Sequence, residues 1–299
     1  MSSHQPQELP QSLYRFRPCN GEHFKAELQA LLKNEAWFAP VAGLNDPAEC
    51  RPRYAESDFG EFCNELKILQ ERFSTNPKTG LKARLIWNGH FEGPDDLALP
   101  ETQLETYRSF QYQYGEATTQ HIGLLEWLRG QFKSISFSSD WNNPLMWGHY
   151  ANGSKGMCIE YVRDDSVRAD LVFETKVQYT DHRPTLSTVE MMRYDVISKC
   201  LVSSNSEALE VQHQMAERLI ATKSTNWSGE AEWRQYTLKD SDASGRNYQG
   251  VVSFRPSRII FGLDTPEETQ KLVRGVLADT VEYQQLTWAE NYKLKLQSA

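Results

Sequence analysis

The sequence predicts an α+β protein, a single domain with a central mixed sheet and helical insertions, on three observations. Short runs that alternate apolar and polar residues recur from residue 13 to the C-terminus. Stretches with apolar residues three and four apart lie between them. Neither kind is confined to one half of the chain. The length of 299 residues allows a sizeable core, and 39% hydrophobic residues with 11% aromatics place the chain among folded proteins rather than disordered ones.

Residues 1–12, MSSHQPQELPQS, are polar and read as a loose N-terminus, so the domain is expected over 13–299. LYRFRP at Leu13 to Pro18 alternates bulky and charged residues and stops at a proline, the pattern of a short strand whose Arg15 and Arg17 share one face. Phe24, Leu28, Leu31 and Leu32 then recur at helical spacing. Ala36 to Ala39 reads as extended, and Gly43-Leu44-Asn45-Asp46-Pro47 is a turn signal. From about 57 to 130 the pattern is that of a helical insertion, interrupted by the loop Gly89 to Pro100.

Ile135 to Ser138 reads as a strand, Leu145 to Ala151 as a short helix, and Gly156 to Tyr161 and Leu171 to Tyr179 as strands. A second helical block runs from about Thr188 to Lys223, behind a Ser187-Thr188-Val189-Glu190 capping box. Glu230 to Leu238, Gly250 to Phe254 and Arg258 to Gly262 are three more strands. Asp264-Thr265-Pro266-Glu267-Glu268 opens a helix with acidic residues in its first turn, and Tyr283 to Leu296 is a terminal strand plus tail.

Charge and cysteine usage narrow the function classes. With 32 basic and 40 acidic residues the net charge is −8, which argues against a protein that coats a polynucleotide backbone, because that affinity comes from many Lys and Arg on phosphates. Cys19, Cys50, Cys63, Cys158 and Cys200 are odd in number and never closer than 13 residues, so neither a CxxC redox pair nor a zinc knuckle is expected, and reduced cytoplasmic thiols are. No apolar run approaches the ~18 residues of a membrane span, and the N-terminus has no apolar leader core.

Four polar constellations stand out as candidate chemistry. Glu230-Ala231-Glu232-Trp233-Arg234, read as a strand, places Glu230, Glu232 and Arg234 on one face opposite a buried Trp233. Its bland alternative is a solvated edge with Arg234 bridging Glu232. Trp147 and Tyr150 are three apart on a short helix and share a face; one of them is core, and His149 between them lacks a second ligand at metal spacing, so no metal is expected. Asn45 and Asp46 before Pro47 either cap a turn or face a site. Arg15 and Arg17 either pair on an exposed strand face or bind an anion.

LYRFR, LNDPAE, SISFSSDWNNPLMWGHYANGSKGMCIEY and NWSGEAEWR followed by RIIFGL, in this order, resemble the bacterial family of unknown function numbered 2971. A further resemblance is to the ADP-ribosyltransferases, carried by an Arg on an early strand (Arg15 or Arg17), a Ser on a middle strand (Ser136 or Ser138) and the pair Glu230 and Glu232 near a later strand. That resemblance implies a transferase-like core and NAD as substrate. Glu232 would stabilise the oxocarbenium-like centre and Glu230 would handle the acceptor. The arginine would pair with phosphate, and Trp147 or Tyr150 would stack on nicotinamide, with His149, Asn45 and Asp46 lining the nucleotide. The acceptor would be a protein, a nucleic acid or water, in bacterial stress or antiphage defence. A noncatalytic nucleotide-sensing or partner-binding module and a metal nuclease are the alternatives.

Overall fold

The computed structural model describes residues 9–21, 23–46, 48–74, 104, 105, 107, 108, 111, 129, 132–168, 172–191, 193, 206–237, 248–290 and 293–298. The chain gathers into two compact units: residues 1–45, 131–181 and 223–299 form one, residues 46–130 and 182–222 the other.

The strands are β1 (Ser12–Arg17), β2 (Glu35–Trp37), β3 (Ala39–Pro40), β4 (Arg53–Ala55), β5 (Lys133–Ser138), β6 (Met157–Arg163), β7 (Val172–Lys176), β8 (Gln178–Thr180), β9 (Thr185–Ser187), β10 (Thr222–Ser224), β11 (Glu232–Thr237), β12 (Tyr248–Gly250), β13 (Phe254–Phe261), β14 (Glu282–Trp288) and β15 (Leu294–Ser298). The helices are α1 (Phe24–Leu31), α2 (Phe59–Ser74), α3 (Pro144–Tyr150), α4 (Ser206–Ile220) and α5 (Glu267–Leu277). The molecule is thus α+β with a large mixed sheet.

In the first unit a nine-stranded sheet runs β15-β14-β13-β6-β1-β5-β11-β7, with β3 paired to β5 off this path. All these pairings are antiparallel except β13 with β14. The five expected strand segments beginning at Leu13, Ile135, Gly156, Glu230 and Arg258 all contribute to it. Residues opposite one another in a ladder point to the same face, so the registers sort the sheet. Leu13, Ile135, Phe137, Ile159, Tyr161, Trp233, Ile259 and Phe261 face a core closed by Phe24, Leu28 and Leu31 of α1 and Val273 and Leu277 of α5. Phe16, Cys158 and Ile260 face the other way, against Met146, Trp147 and Ala151 at α3.

Helix α3 starts where its sequence says it should. Asn143 caps it by accepting the Leu145 N–H at 2.9 Å, and Pro144 occupies the first turn, where a missing N–H costs nothing. The chain leaves α3 and enters β6 through Gly156, whose N–H bonds the Ala151 carbonyl at 2.8 Å. A Cβ on Gly156 would lie 2.0 Å from the Arg17 carbonyl oxygen, so only glycine admits this approach. This fixes α3 against the end of β1.

The second unit contains α2 and a parallel pairing of β4 with β9. The capping box is present: Glu190 N–H donates to Ser187 Oγ at 3.2 Å and Ser187 N–H to Glu190 Oε2 at 2.8 Å. Arg193 forms a two-pronged pair with Glu65 at 2.7 and 2.6 Å. Most of the helical insertion expected over 57–130 beyond α2, and the centre of the block expected over 188–223, lie outside the described residues.

Four expectations on local structure are corrected. Gly250 to Phe254 is not a strand: β12 ends at Gly250 and β13 begins at Phe254. Glu230 is not on a strand: it ends a 3-10 turn, Thr225–Glu230, and Ala231 follows with φ 46° and ψ 51°, so β11 begins only at Glu232. Leu171 to Tyr179 divides into β7 and β8 around Val177, whose N–H bonds the Glu232 carbonyl at 3.0 Å. The segment at 283–296 forms two strands, β14 and β15, that pair with one another.

Candidate functional site

At the head of β11 four ionisable side chains share one buried cluster. Lys223, from β10, places its Nζ 2.6 Å from Glu230 Oε2 and 2.9 Å from Glu232 Oε2. Arg234 donates from Nε to Glu232 Oε1 at 2.7 Å and from a terminal nitrogen to Oε2 at 2.9 Å. Glu232 and Arg234 lie two apart on β11 and so project from the same face. Their residue exposures, 3% and 1%, mark a site held by mutual charge rather than by water.

The two carboxylates differ in setting. Burial opposes ionisation of Glu232, but the charge and hydrogen bonds of Arg234, the charge of Lys223 and the Ser136 hydroxyl outweigh it, and its pKa falls from 4.5 to about 2. Glu230 accepts a 2.6 Å hydrogen bond from the Tyr150 hydroxyl on Oε1. Burial first, then Glu230, pushes that phenol up to about 12, so it remains a donor at neutral pH; the Asn45 side chain also reaches it.

The turn that carries Glu230 is stitched to the end of β5. The Ser138 hydroxyl donates to the Glu230 carbonyl at 2.7 Å and accepts the Asp140 N–H at 3.1 Å. Ser139 N–H donates to the Ala231 carbonyl at 3.0 Å, and the Asn143 amide donates to the Gly229 carbonyl. The Glu232 N–H is taken by the Tyr179 hydroxyl at 2.8 Å. Lys223 Nζ also stands 5.2 Å from the centre of the Trp227 ring.

The structure therefore brings together Glu230, Glu232, Ser136, Tyr150 and Asn45, and divides the two serines. Ser136 is exposed beside Glu232, whereas Ser138 is fully buried and spends its hydroxyl on backbone, so it fastens the turn and does not face a ligand. Arg15 and Arg17 are not brought here. Tyr14 is opposite Ser138 and Ser138 is opposite Glu232, so Tyr14 shares the face of Glu232 and its neighbours Arg15 and Arg17 take the reverse face. There both pair with Glu27 of α1, Arg15 at 3.0 Å and Arg17 at 2.6 Å.

Trp147 is core: it is 1% exposed, sits edge-on to Phe16 with ring centres 5.1 Å apart, and donates its indole N–H to the Trp141 carbonyl at 2.8 Å. Tyr150 is thus the ring of α3 that reaches the cluster. His149 is exposed, with its ring 6.4 Å from that of Tyr150. Asp46 lies in the second unit, where it makes an Asx turn, accepting the Ala48 N–H at 2.8 Å.

Sequence reasoning missed Lys223 and Tyr179. The signal for Lys223 was its place before TNWSGE, where a glycine-containing turn returns the chain to a carboxylate seven residues on. Among the described residues no group of three or more His, Cys, Asp or Glu is arranged to hold a metal, and no helix is long and apolar enough to cross a membrane.

Residues 146–235 match the model of a family described as protein of unknown function (DUF2971), which covers α3 from Met146, β6, and Tyr150, Lys223, Glu230, Glu232 and Arg234 of the cluster, with Ser136 and Asn45 outside it. The chain resembles that family there. No curated protein and no solved structure matches it.

Proposed function

We propose that the cluster at the head of β11, most of it within the segment resembling this family, is the site of an enzyme that binds NAD and cleaves its nicotinamide–ribose bond, by hydrolysis or by transfer of ADP-ribose. One observation carries the reading: β5 and β11 are neighbours in the sheet, and Ser136, Glu230 and Glu232, the serine and carboxylate part of the pattern, meet on one side of it, although Arg15 and Arg17 of β1 lie on the other. A carboxylate kept ionised at a ribose is what a positive centre developing at C1′ requires. As the C1′–N bond breaks, its electron pair stays on the ring nitrogen and leaves nicotinamide neutral. In hydrolysis a water oxygen bonds C1′ and its proton passes to Glu230 or solvent, giving ADP-ribose, nicotinamide and a proton. In this reading Tyr150, bonded to Glu230, supplies the ring for nicotinamide. The acceptor in transfer, whether protein or nucleic acid, and a setting in cytoplasmic stress or antiphage defence belong to the same proposal.

A second reading, a noncatalytic nucleotide-sensing or partner-binding module, is favoured by one feature: both Glu232 oxygens are already engaged by Arg234 and Lys223. Incubating the purified protein with NAD, while measuring nicotinamide release and NAD binding, separates the two. Release supports the enzyme, binding without release supports the sensor, and neither binding nor release overturns both.

A further inference from the structure

Resting on the NAD-cleaving reading, we propose that Lys223 is a specificity-determining residue: it adds a second counterion to Glu232 in the free protein and is drawn off by the phosphate of the substrate, so that only phosphate-bearing nicotinamide nucleotides leave the carboxylate with Arg234 alone.

The argument starts from charge. An ammonium 2.9 Å from Glu232 Oε2 cancels the negative charge meant for a cation developing at the same oxygen, and in a site this dry the opposition is strong. Arg234 already answers the single charge of Glu232, so Lys223 is the surplus counterion that cleavage needs to leave. Arg234 is not the group that moves, because it grips both Glu232 oxygens from the same strand and is 1% exposed.

Lys223 is held differently. It is 7% exposed and reaches two different carboxylates and the face of Trp227, on a flexible stem, from a three-residue strand that leads into the turn Thr225–Glu230. In that turn Thr225, Asn226, Ser228 and Gly229 are exposed. Its shorter contact is to Glu230, so it can release Glu232 and keep a partner.

The anion binder expected for the phosphates is missing from the face of Glu232. The arginines expected to take the phosphates, Arg15 and Arg17, are committed to Glu27 on the reverse face of the sheet. On the face of Glu232 the described cations of the cluster are Lys223 and Arg234. A compact, strongly hydrated ammonium on a long stem is suited to follow a phosphate. One residue thus closes the site in the absence of substrate and supplies the phosphate contact in its presence.

The test compares cleavage of nicotinamide mononucleotide, which carries a 5′-phosphate, with nicotinamide riboside, which lacks it, by wild type, Lys223→Met and Lys223→Arg. Wild type should prefer the mononucleotide in kcat/KM by about 100-fold or more. Lys223→Met should bring the two within about tenfold, chiefly by cleaving the riboside faster, while Lys223→Arg keeps a preference. The proposal is overturned if Lys223→Met retains the wild-type ratio. If Lys223→Met does not fold, the double variant Lys223→Met/Glu230→Gln, which removes one charge of each sign, takes its place in the same comparison. Should no protein release nicotinamide from any substrate, NAD cleavage itself fails. Binding of the two compounds by calorimetry then decides the role of Lys223: a phosphate preference lost in the variant sustains it, and equal preference, or no binding at all, overturns it.

Discussion

At Glu232 a glutamine keeps the shape and one carbonyl acceptor but withdraws the charge that answers Arg234 and Lys223. On the proposed chemistry nicotinamide release should fall on the order of 10²-fold to 10³-fold. Stability falls as well, because a buried cation left without its counterion commonly costs about 3–5 kcal/mol. The thermal melt of Glu232→Gln should therefore drop by many degrees, and rates must be read at a temperature where the variant is folded. Glu230→Gln, which retains its acceptor for Tyr150, should hurt transfer to an acceptor more than hydrolysis. The low pKa of Glu232 also dictates a pH window. A carboxyl depressed from 4.5 to about 2 contributes stability that is fully present above about 4.5 and is lost as pH falls toward 2. The melting difference between wild type and Glu232→Gln should be largest near neutral pH and shrink below 4.5; a difference that stays constant down to pH 2 would remove the ion-pair account.

Among the elements, the 3-10 turn and α3 set the geometry, and each has one residue whose backbone decides it. Ala231 holds φ 46°, a conformation that costs a residue with a Cβ about 1 kcal/mol relative to glycine. Ala231→Gly should raise the melting temperature by a few degrees at most and leave the Lys223 contacts in place. Gly156→Ala does the reverse, since its Cβ would collide with the Arg17 carbonyl, and β1 or α3 must shift; the melt should fall and activity with it. These positions also show what was legible in the sequence. β1, β5 and β11 were readable because alternation survives in their residues, β6 and β13 because short apolar runs, Met157-Cys158-Ile159 and Ile259-Ile260-Phe261, adjoin Gly156 and Gly262, and the α3 cap because Asn143-Pro144 is a local signal. The separation of Arg15 and Arg17 from Glu232 was not, because alternation names the two sides of a strand without saying which side meets α1. That is settled by pairing with residues far away in sequence, Tyr14 with Ser138 and Ser138 with Glu232. Glu230 was misread as strand because the left-handed turn at Ala231 has no glycine to announce it.

Across the whole molecule, the central sheet joins segments from nearly the full length of the chain, with Leu13 opposite Tyr161 and Trp233 opposite Phe137. Loop closure on that scale precedes most of the stabilising contacts, so refolding from denaturant should take milliseconds to seconds or longer, as stopped-flow tryptophan emission can follow. The sheet ends at β15, which covers β14 and contributes Leu294 to the core beneath α3. Deleting residues 293–299 would leave β14 with a bare row of backbone donors and acceptors, and light scattering should then show concentration-dependent association that the intact chain lacks.

The ladder registers also divide the alphabet of tolerated substitutions by arithmetic parity. On β1, β5, β6 and β11, and on β13 beyond its irregularity at Pro256, even-numbered residues such as Tyr14, Ser136, Glu160, Glu232 and Arg258 face one side, and odd-numbered ones such as Leu13, Phe137, Ile159, Trp233 and Ile259 the other. A saturation library across these strands, selected for folded protein and separately for nucleotide binding, should yield two interleaved readouts. Odd positions, together with the even positions packed under α3 such as Phe16, Cys158 and Ile260, would dominate the folding screen, with Arg15 and Arg17 admitted on the odd side through their pact with Glu27. The variants that fold yet lose the ligand would collect at even positions, so the sheet sorts its own genetics into structure and recognition.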